Sequence, residues 1–322
     1  MKKKIAIILA VAIVLVSCVA LVMCNKKENE TKKFTVGVCQ LVQHAALDQA
    51  TQGFIDALKA ELGEENVVID VQNAAGDTNN CNTIVSKFVS QNVDLIMANA
   101  TPALQAAYNA TTTIPILGTS ITEYGVALET TLTNGVVGGN VSGTSDLASL
   151  EEQAKMILEF YPNVQTVGIV YCSAEANSKY QVEEMTRFLE AEGVTVKPFS
   201  FSDSNDISSV VTAACASCEV LYIPTDNTAA SCAETIGNIV RENNTPVFAG
   251  EENTAKGCGV ASLSISYYDL GVATGKMAAK ILKGEANVST MPIEYAPATK
   301  KYNKEMCDYL GITVPSGYTE IK

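Results

Sequence analysis

Short apolar runs alternate with amphipathic stretches from Phe34 almost to the carboxyl end. Phe34–Cys39 (FTVGVC), Val67–Val71, Leu95–Ala98 and Pro115–Gly118 have the length of buried strands. Between them, Leu47–Leu62 carries Phe54, Ile55, Leu58 and Leu62 at helical spacing. Asp77 is placed to cap a second helix running from about Thr78 to Ser90. After the third run, Thr101 is the expected N-cap and Pro102 the first helical residue, where a missing N–H costs nothing. Strands alternating with helices through short connections predict βαβ units and a parallel sheet.

The alternation lapses over Thr130–Asp146, which holds Gly135, Gly138, Gly139 and Gly143. So glycine-rich a stretch predicts a crossover between two lobes, with backbone freedom for a hinge. The pattern then resumes with helix Leu147–Phe160, strand Thr166–Tyr171, helix Ser178–Glu192, strand Val194–Phe199 and helix Asp206–Cys215. Strand Val220–Ile223 breaks at Pro224 into a polar cluster, Thr225–Thr228, and a helix to Arg241. Strands Pro246–Ala249 and Val260–Leu263 follow, then a helix Tyr267–Lys283 closed by Gly284, and a tail with a last short helix, Asn303–Leu310.

Two stretches share one plan, VDLIMANATPALQAAYN (Val93–Asn109) and EVLYIPTDNTAASCA (Glu219–Ala233), one in each half. The expectation is an α/β fold of two doubly wound parallel-sheet lobes with a hinge. Lobe one takes residues 34–143 plus about 266–296, and lobe two 144–265 plus about 297–322. Ligands of open α/β sheets sit beyond the carboxyl ends of the strands, so these two loops should face each other across one cleft.

Composition narrows the function. The 322 residues are 47% apolar, enough to fill two cores. A formal net charge of −13, from 22 basic and 35 acidic residues, argues against a nucleic-acid surface. With one His and no Trp, histidine triads and histidine metal sites lack material, and neither a metal nor a cofactor is expected. No Gly-x-Ser-x-Gly elbow, phosphate loop with Lys or His-Glu-x-x-His helix is present, so the chain is not expected to be an enzyme. Beyond the first 33 residues there are eight cysteines, and Cys215-x-x-Cys218 is the one close pair. It has no second pair or histidines to make a zinc site, and buried small residues account for it.

The amino end looks like an export signal. Lys2–Lys4 form a positive start and Ile5–Val16 an apolar run. Leu15-Val16-Ser17-Cys18 resembles a bacterial lipobox, with Cys18 as the lipidated residue and Cys24 as the alternative. Residues 1–24 are then a lipoprotein signal peptide or anchor and 25–33 a tether. An uncleaved anchor is the other reading, since Ile5–Met23 approaches the ~20 apolar residues that span a bilayer. Both place the remaining chain outside the cytoplasmic membrane.

Several segments together are similar to one family. They are QLVQHAALDQATQGF (Gln40–Phe54), QNAAGD (Gln72–Asp77), NATPALQA (Asn99–Ala106), VSGTSD (Val141–Asp146), SAEANS (Ser173–Ser178), YIPTDNTAAS (Tyr222–Ser231) and YYDLGVATGKMAAKILKG (Tyr267–Gly284). They resemble the solute-binding lipoproteins of ABC importers, in the group that includes tryptophan- and tyrosine-binding members. The resemblance implies a periplasmic-binding-protein type I fold, a solute clamped between lobes, and delivery to an ABC permease by a monomer tethered through its lipid. Two loops depart from the family. Thr122-Glu123-Tyr124 stands where a Thr-Asp-Pro turn is usual, and Gly250-Glu251-Glu252 is unusually acidic.

An amino-acid solute, aromatic or hydrophobic, offers a carboxylate, an ammonium and a side chain. For the carboxylate, the N–H groups of Ala100, Thr101 and Ala103 and of the Ser173–Asn177 loop are candidates, with the hydroxyls of Thr101, Ser120 and Thr122. For the ammonium, Asp226 is the first candidate, with Glu251 and Asp146 behind it. Thr225 and Asn227 flank Asp226 in the same loop. Gln40 and Asn177 can supply amide contacts, and Leu41, Tyr124 or Tyr267 apolar walls. His44 stands at a loop-to-helix step and can face either cleft or solvent. A sensing domain of the same fold reporting to a membrane receptor, or a purine or sugar as solute, are the alternatives.

Overall fold

The computed structural model describes residues 33–322; Cys18 and Cys24 lie outside them. The chain first runs β1 (Phe34–Gln40), α1 (Ala45–Leu62), β2 (Val67–Asn73), α2 (Thr78–Ser90), β3 (Leu95–Asn99), α3 (Thr101–Ala110), β4 (Ile116–Ile121), α4 (Tyr124–Leu128) and β5 (Val141–Ser145). It continues with α5 (Leu150–Phe160), β6 (Thr166–Cys172), α6 (Ala176–Ala191), β7 (Thr195–Phe201), α7 (Ile207–Cys215), β8 (Val220–Ile223) and α8 (Asn227–Ser231). Then come α9 (Ala233–Glu242), β9 (Val247–Ala249), α10 (Glu252–Cys258), β10 (Ala261–Ser264) and α11 (Tyr267–Leu282). The tail adds β11 (Glu294–Tyr295), β12 (Thr299–Tyr302), α12 (Lys304–Leu310) and β13 (Thr319–Glu320).

Two sheets result. The first has the order β11-β5-β4-β3-β1-β2 and is parallel throughout. The second has the order β13-β12-β10-β9-β8-β6-β7 and is parallel except where β12 runs against β10. In each, the strand order reverses at the first strand: β1 lies between β2 and β3, and β6 between β7 and β8. A crevice opens at such a switch point, beyond the strands' carboxyl ends. The loops after β1 and β3 and those after β6 and β8 therefore frame the site.

The chain passes between the sheets three times: after β5, after β10 and after β11. Helix α11 returns to the first sheet and lies along α1 at close range. A Cβ on Gly271 would sit 2.0 Å from the Ala50 carbonyl oxygen, so only glycine permits this approach. That packing seats Tyr267, the first residue of α11, at the crevice.

Several elements differ from the pattern-based expectation. Val141–Ser145, expected within the crossover, is strand β5 of the first sheet, so the crossing begins after Ser145. Gly143 serves strand packing rather than hinge freedom: at φ 146°, its Cβ would lie 2.0 Å from the Gly118 carbonyl oxygen. Ala100, not Thr101, is the N-cap of α3, at φ 89°, and the helix begins at Thr101. Helices α4 and α10 arise where loops were expected, and the helix after Asp226 is split at Cys232 into α8 and α9. Asp77 caps α2 as expected, accepting from Asn79 N at 2.7 Å.

Candidate functional site

In the second sheet the loop after β8 is bound to the loop after β6 by side chains. Asp226, 2% exposed, accepts at 2.8 Å from Ala229 N, at 2.6 Å from Cys172 N and at 2.7 Å from the Ser178 hydroxyl. Thr225 donates through its N–H and hydroxyl to Gln181 Oε1, and its carbonyl accepts from Asn177 Nδ2 at 2.9 Å. Glu175, 4% exposed, turns its carboxylate to α8 and accepts from the N–H groups of Asn227 and Thr228 and from both their side chains. This is the start of a helix, where a carboxylate is favoured by free N–H groups and the helix dipole.

The first sheet supplies harder backbone. Ala100 and Ser120, at the ends of neighbouring strands β3 and β4, both have positive φ, 89° and 56°. Such conformations cost of order 1–3 kcal/mol each, and they cluster where a site demands them. Beside them the hydroxyls of Thr101 and Ser120 are buried without a protein partner. At the crossing between the sheets, Asp146 is 5% exposed and accepts at 2.8 Å from the Tyr267 hydroxyl and at 3.2 Å from the Thr122 hydroxyl.

The two halves meet around a narrow inner cavity of about 10 Å³, room for a single water, so a solute fits there only when its walls move apart. Direct contacts bridge it: His44 Nε2 lies 3.4 Å from Asn227 Oδ1, and Thr122 Oγ1 lies 3.4 Å from Thr225 Oγ1. A second, outer hollow leads to solvent between Leu41, Val42 and Pro102 on one side and Ala174, Glu175 and Thr228 on the other. Three carboxylates line the inner cavity, those of Asp146, Asp226 and Glu251, and its lining includes no Lys or Arg. Burial, with Glu251 adding to it, pushes Asp146 up to about 6. Burial and then the neighbouring Glu175 raise Asp226 as well. Tyr267 is raised by burial and by the negative charge of Asp146 and Glu251, so it donates as a neutral phenol.

Of the residues singled out from sequence, Ser120, Thr122, Asp146, Asn177, Thr225, Asp226, Asn227 and Glu251 line the inner cavity, with His44 and Tyr267. Leu41 lines the outer hollow. Others are placed differently. Gln40 turns into lobe one, where its amide donates to Val42 O and Asp48 and accepts from Thr51, which takes up both its donors. Ser173 points its hydroxyl at the Phe201 carbonyl, 3.1 Å away. Ala100 and Thr101 lie outside the cavity's lining, and both are buried. Tyr124 is a core residue bonded to the Thr144 carbonyl. Asp226, first choice for an ammonium, is already committed to three protein donors. Asp146 accepts only two hydroxyls, and Glu251 caps α10 through Thr254 and Asn253. Glu252 faces away and pairs with Lys301.

Glu175 and Gln181 escaped the sequence reading. Both fall inside or just after SAEANS, and a buried Glu among small residues before a helix was the available signal. The eight cysteines among the described residues are unpaired, and burial raises both Cys215 and Cys218, the reverse of a reactive thiol pair.

Comparison with known proteins fits this geometry. The family model of ABC transporter substrate binding proteins matches residues 35–318. The chain belongs to that family. A tyrosine-binding protein of Clostridioides difficile is 36% identical over 273 residues, 84% of this chain and 78% of the relative. The structure of an ABC domain in complex with L-Trp from Streptococcus pneumonia superposes with a TM-score of 0.86 at 33% identity, covering 90% of this chain and all of that one. A ligand-free, open structure of a substrate binding protein with adhesive properties from Clostridium difficile is 37% identical over the same shares, yet its TM-score is 0.67. This substrate-binding protein thus matches the L-Trp complex more closely than the open form, despite lower identity. The contacts bridging its cleft agree with a closed arrangement.

Proposed function

We propose that this protein is an exported, lipid-tethered binding component of an ABC importer that closes on a free amino acid with an aromatic side chain and passes it to a permease. One observation carries the reading: the cavity between the lobes is lined by three buried carboxylates with no Lys or Arg to balance them. A buried uncompensated charge is costly, and an ammonium group is the missing partner. Asp146 and Glu251 meet it from the hinge side, and the unpartnered Asn177 Oδ1 offers a further acceptor. The free carboxylate of the same solute takes neutral donors, the Ser120 hydroxyl first. The amino-acid ligands named for the tyrosine-binding relative and for the L-Trp complex agree with a zwitterion of this kind.

A thermal-shift screen of amino acids, short peptides, purines and sugars tests this. Binding to the folded state alone stabilises by ~2.7 kcal/mol at a hundredfold excess over Kd. Tyrosine or tryptophan is expected to raise Tm. A shift with sugars alone contradicts the amino-acid assignment.

A further inference from the structure

We propose that His44 selects the solute's side chain. Its Nδ1 accepts a hydrogen bond from a donor on that side chain, so the site prefers a phenol or indole to phenylalanine. This rests on the amino-acid reading above.

Glu175 starts the chain of constraints. Its Oε2 takes the Asn227 Nδ2 group at 2.6 Å and the Asn227 N–H at 3.1 Å. A carboxylate only accepts, so the Asn227 amide is fixed with its NH₂ toward Glu175 and its Oδ1 turned away. That oxygen faces His44 Nε2 across the cleft at 3.4 Å. An acceptor opposite Nε2 places the imidazole proton there, and in the neutral ring Nδ1 becomes a bare acceptor. Nδ1 is closed off from water and has no protein partner, and His44 makes no side-chain cap to α1 although it occupies the N-cap position.

Position supports the same assignment. His44 and Leu47 are one turn apart on α1, and Asn227 and Ala230 one turn apart on α8, and all four line the inner cavity. Leu47 and Ala230 supply apolar wall beside one unfilled acceptor, while Asp146 and Glu251 lie near Tyr267. A solute whose ammonium lies at Asp146 leaves its side chain to the His44 group. A phenol O–H or an indole N–H fills the acceptor, and a phenyl ring does not.

Calorimetric titration of the protein with L-tyrosine, L-tryptophan and L-phenylalanine is the test, using the wild type, His44→Leu and His44→Gln. The better of tyrosine and tryptophan is expected to bind at least about fivefold tighter than phenylalanine, because a buried acceptor left empty weakens binding by about five- to a hundredfold. His44→Leu brings that ratio near one, and His44→Gln, which keeps an acceptor, retains part of it. Equal affinities in the wild type, or a His44→Leu change that weakens all three solutes alike, overturns the proposal and leaves the amino-acid reading intact. Binding of none of the three overturns the amino-acid reading itself.

Discussion

Two buried aspartates at the cleft do different things, and their partners say which. Asp226 stabilises the loop after β8 through three donors, two of them backbone N–H groups. Asp226→Ala leaves those donors buried and unpaired, and it is expected to lower the stability of the ligand-free protein by about 3 kcal/mol, measured by denaturant unfolding. An unchanged midpoint would contradict the capping role. Asp146 has spare capacity and a pKa raised from 3.8 to about 6. Folding therefore takes up a proton between those values, and the ligand-free protein loses Asp146's share of stability as pH rises from about 4 through about 6. An ammonium binds the ionised form, so solute affinity runs the other way. It is expected to climb up to about tenfold per pH unit below pH 6, level off above, and flatten in Asp146→Asn. A flat wild-type profile in titrations from pH 5 to 7.5 would sink this assignment. The sequence offered Asp226 from the strand–loop–helix plan and Asp146 from the end of the expected crossover. It ranked Asp226 first, because the donors that arrive from distant segments, such as Cys172 for Asp226 and Tyr267 for Asp146, are not visible in it. The same limit hid the fate of Gln40, whose amide is taken up by Asp48 and Thr51 on the next helix.

At the scale of elements, the long alternating runs were legible and the short polar elements were not. β1, β3, β4, β6 and β8 are each built on a short apolar run buried on both faces, the signature of parallel strands. β5 reads VSGTS and has no such run; it is held by neighbours on both sides and by glycine at a close contact. Gly143→Ala meets both a positive φ and a backbone oxygen 2.0 Å from the new Cβ. A loss of about 3 kcal/mol or more is expected in denaturant unfolding, with solute binding impaired through the adjacent Asp146. A fully stable variant would show that the glycine belongs to a flexible hinge after all. α8 and α10 are one or two turns long and rest on their caps, Asp226 with Glu175 and Glu251, rather than on any apolar period.

At the scale of the whole molecule, the repeated strand–loop–helix plan led to two doubly wound lobes, and the sheets reverse order at β1 and β6 as doubly wound sheets do. What the repeat could not give is the relative setting of the two halves, which depends on three crossing segments and on weak contacts such as Thr122–Thr225. In the proposed reading the solute completes that interface, with its ammonium among carboxylates and its carboxylate among hydroxyls. A crystal structure of the protein grown with L-tyrosine or L-tryptophan tests this most directly. The account predicts one solute molecule in the inner cavity, its ammonium within hydrogen-bond distance of Asp146 or Glu251 and its carboxylate at Ser120. A solute whose ammonium faces away from both carboxylates, or one bound outside the cleft, would contradict it.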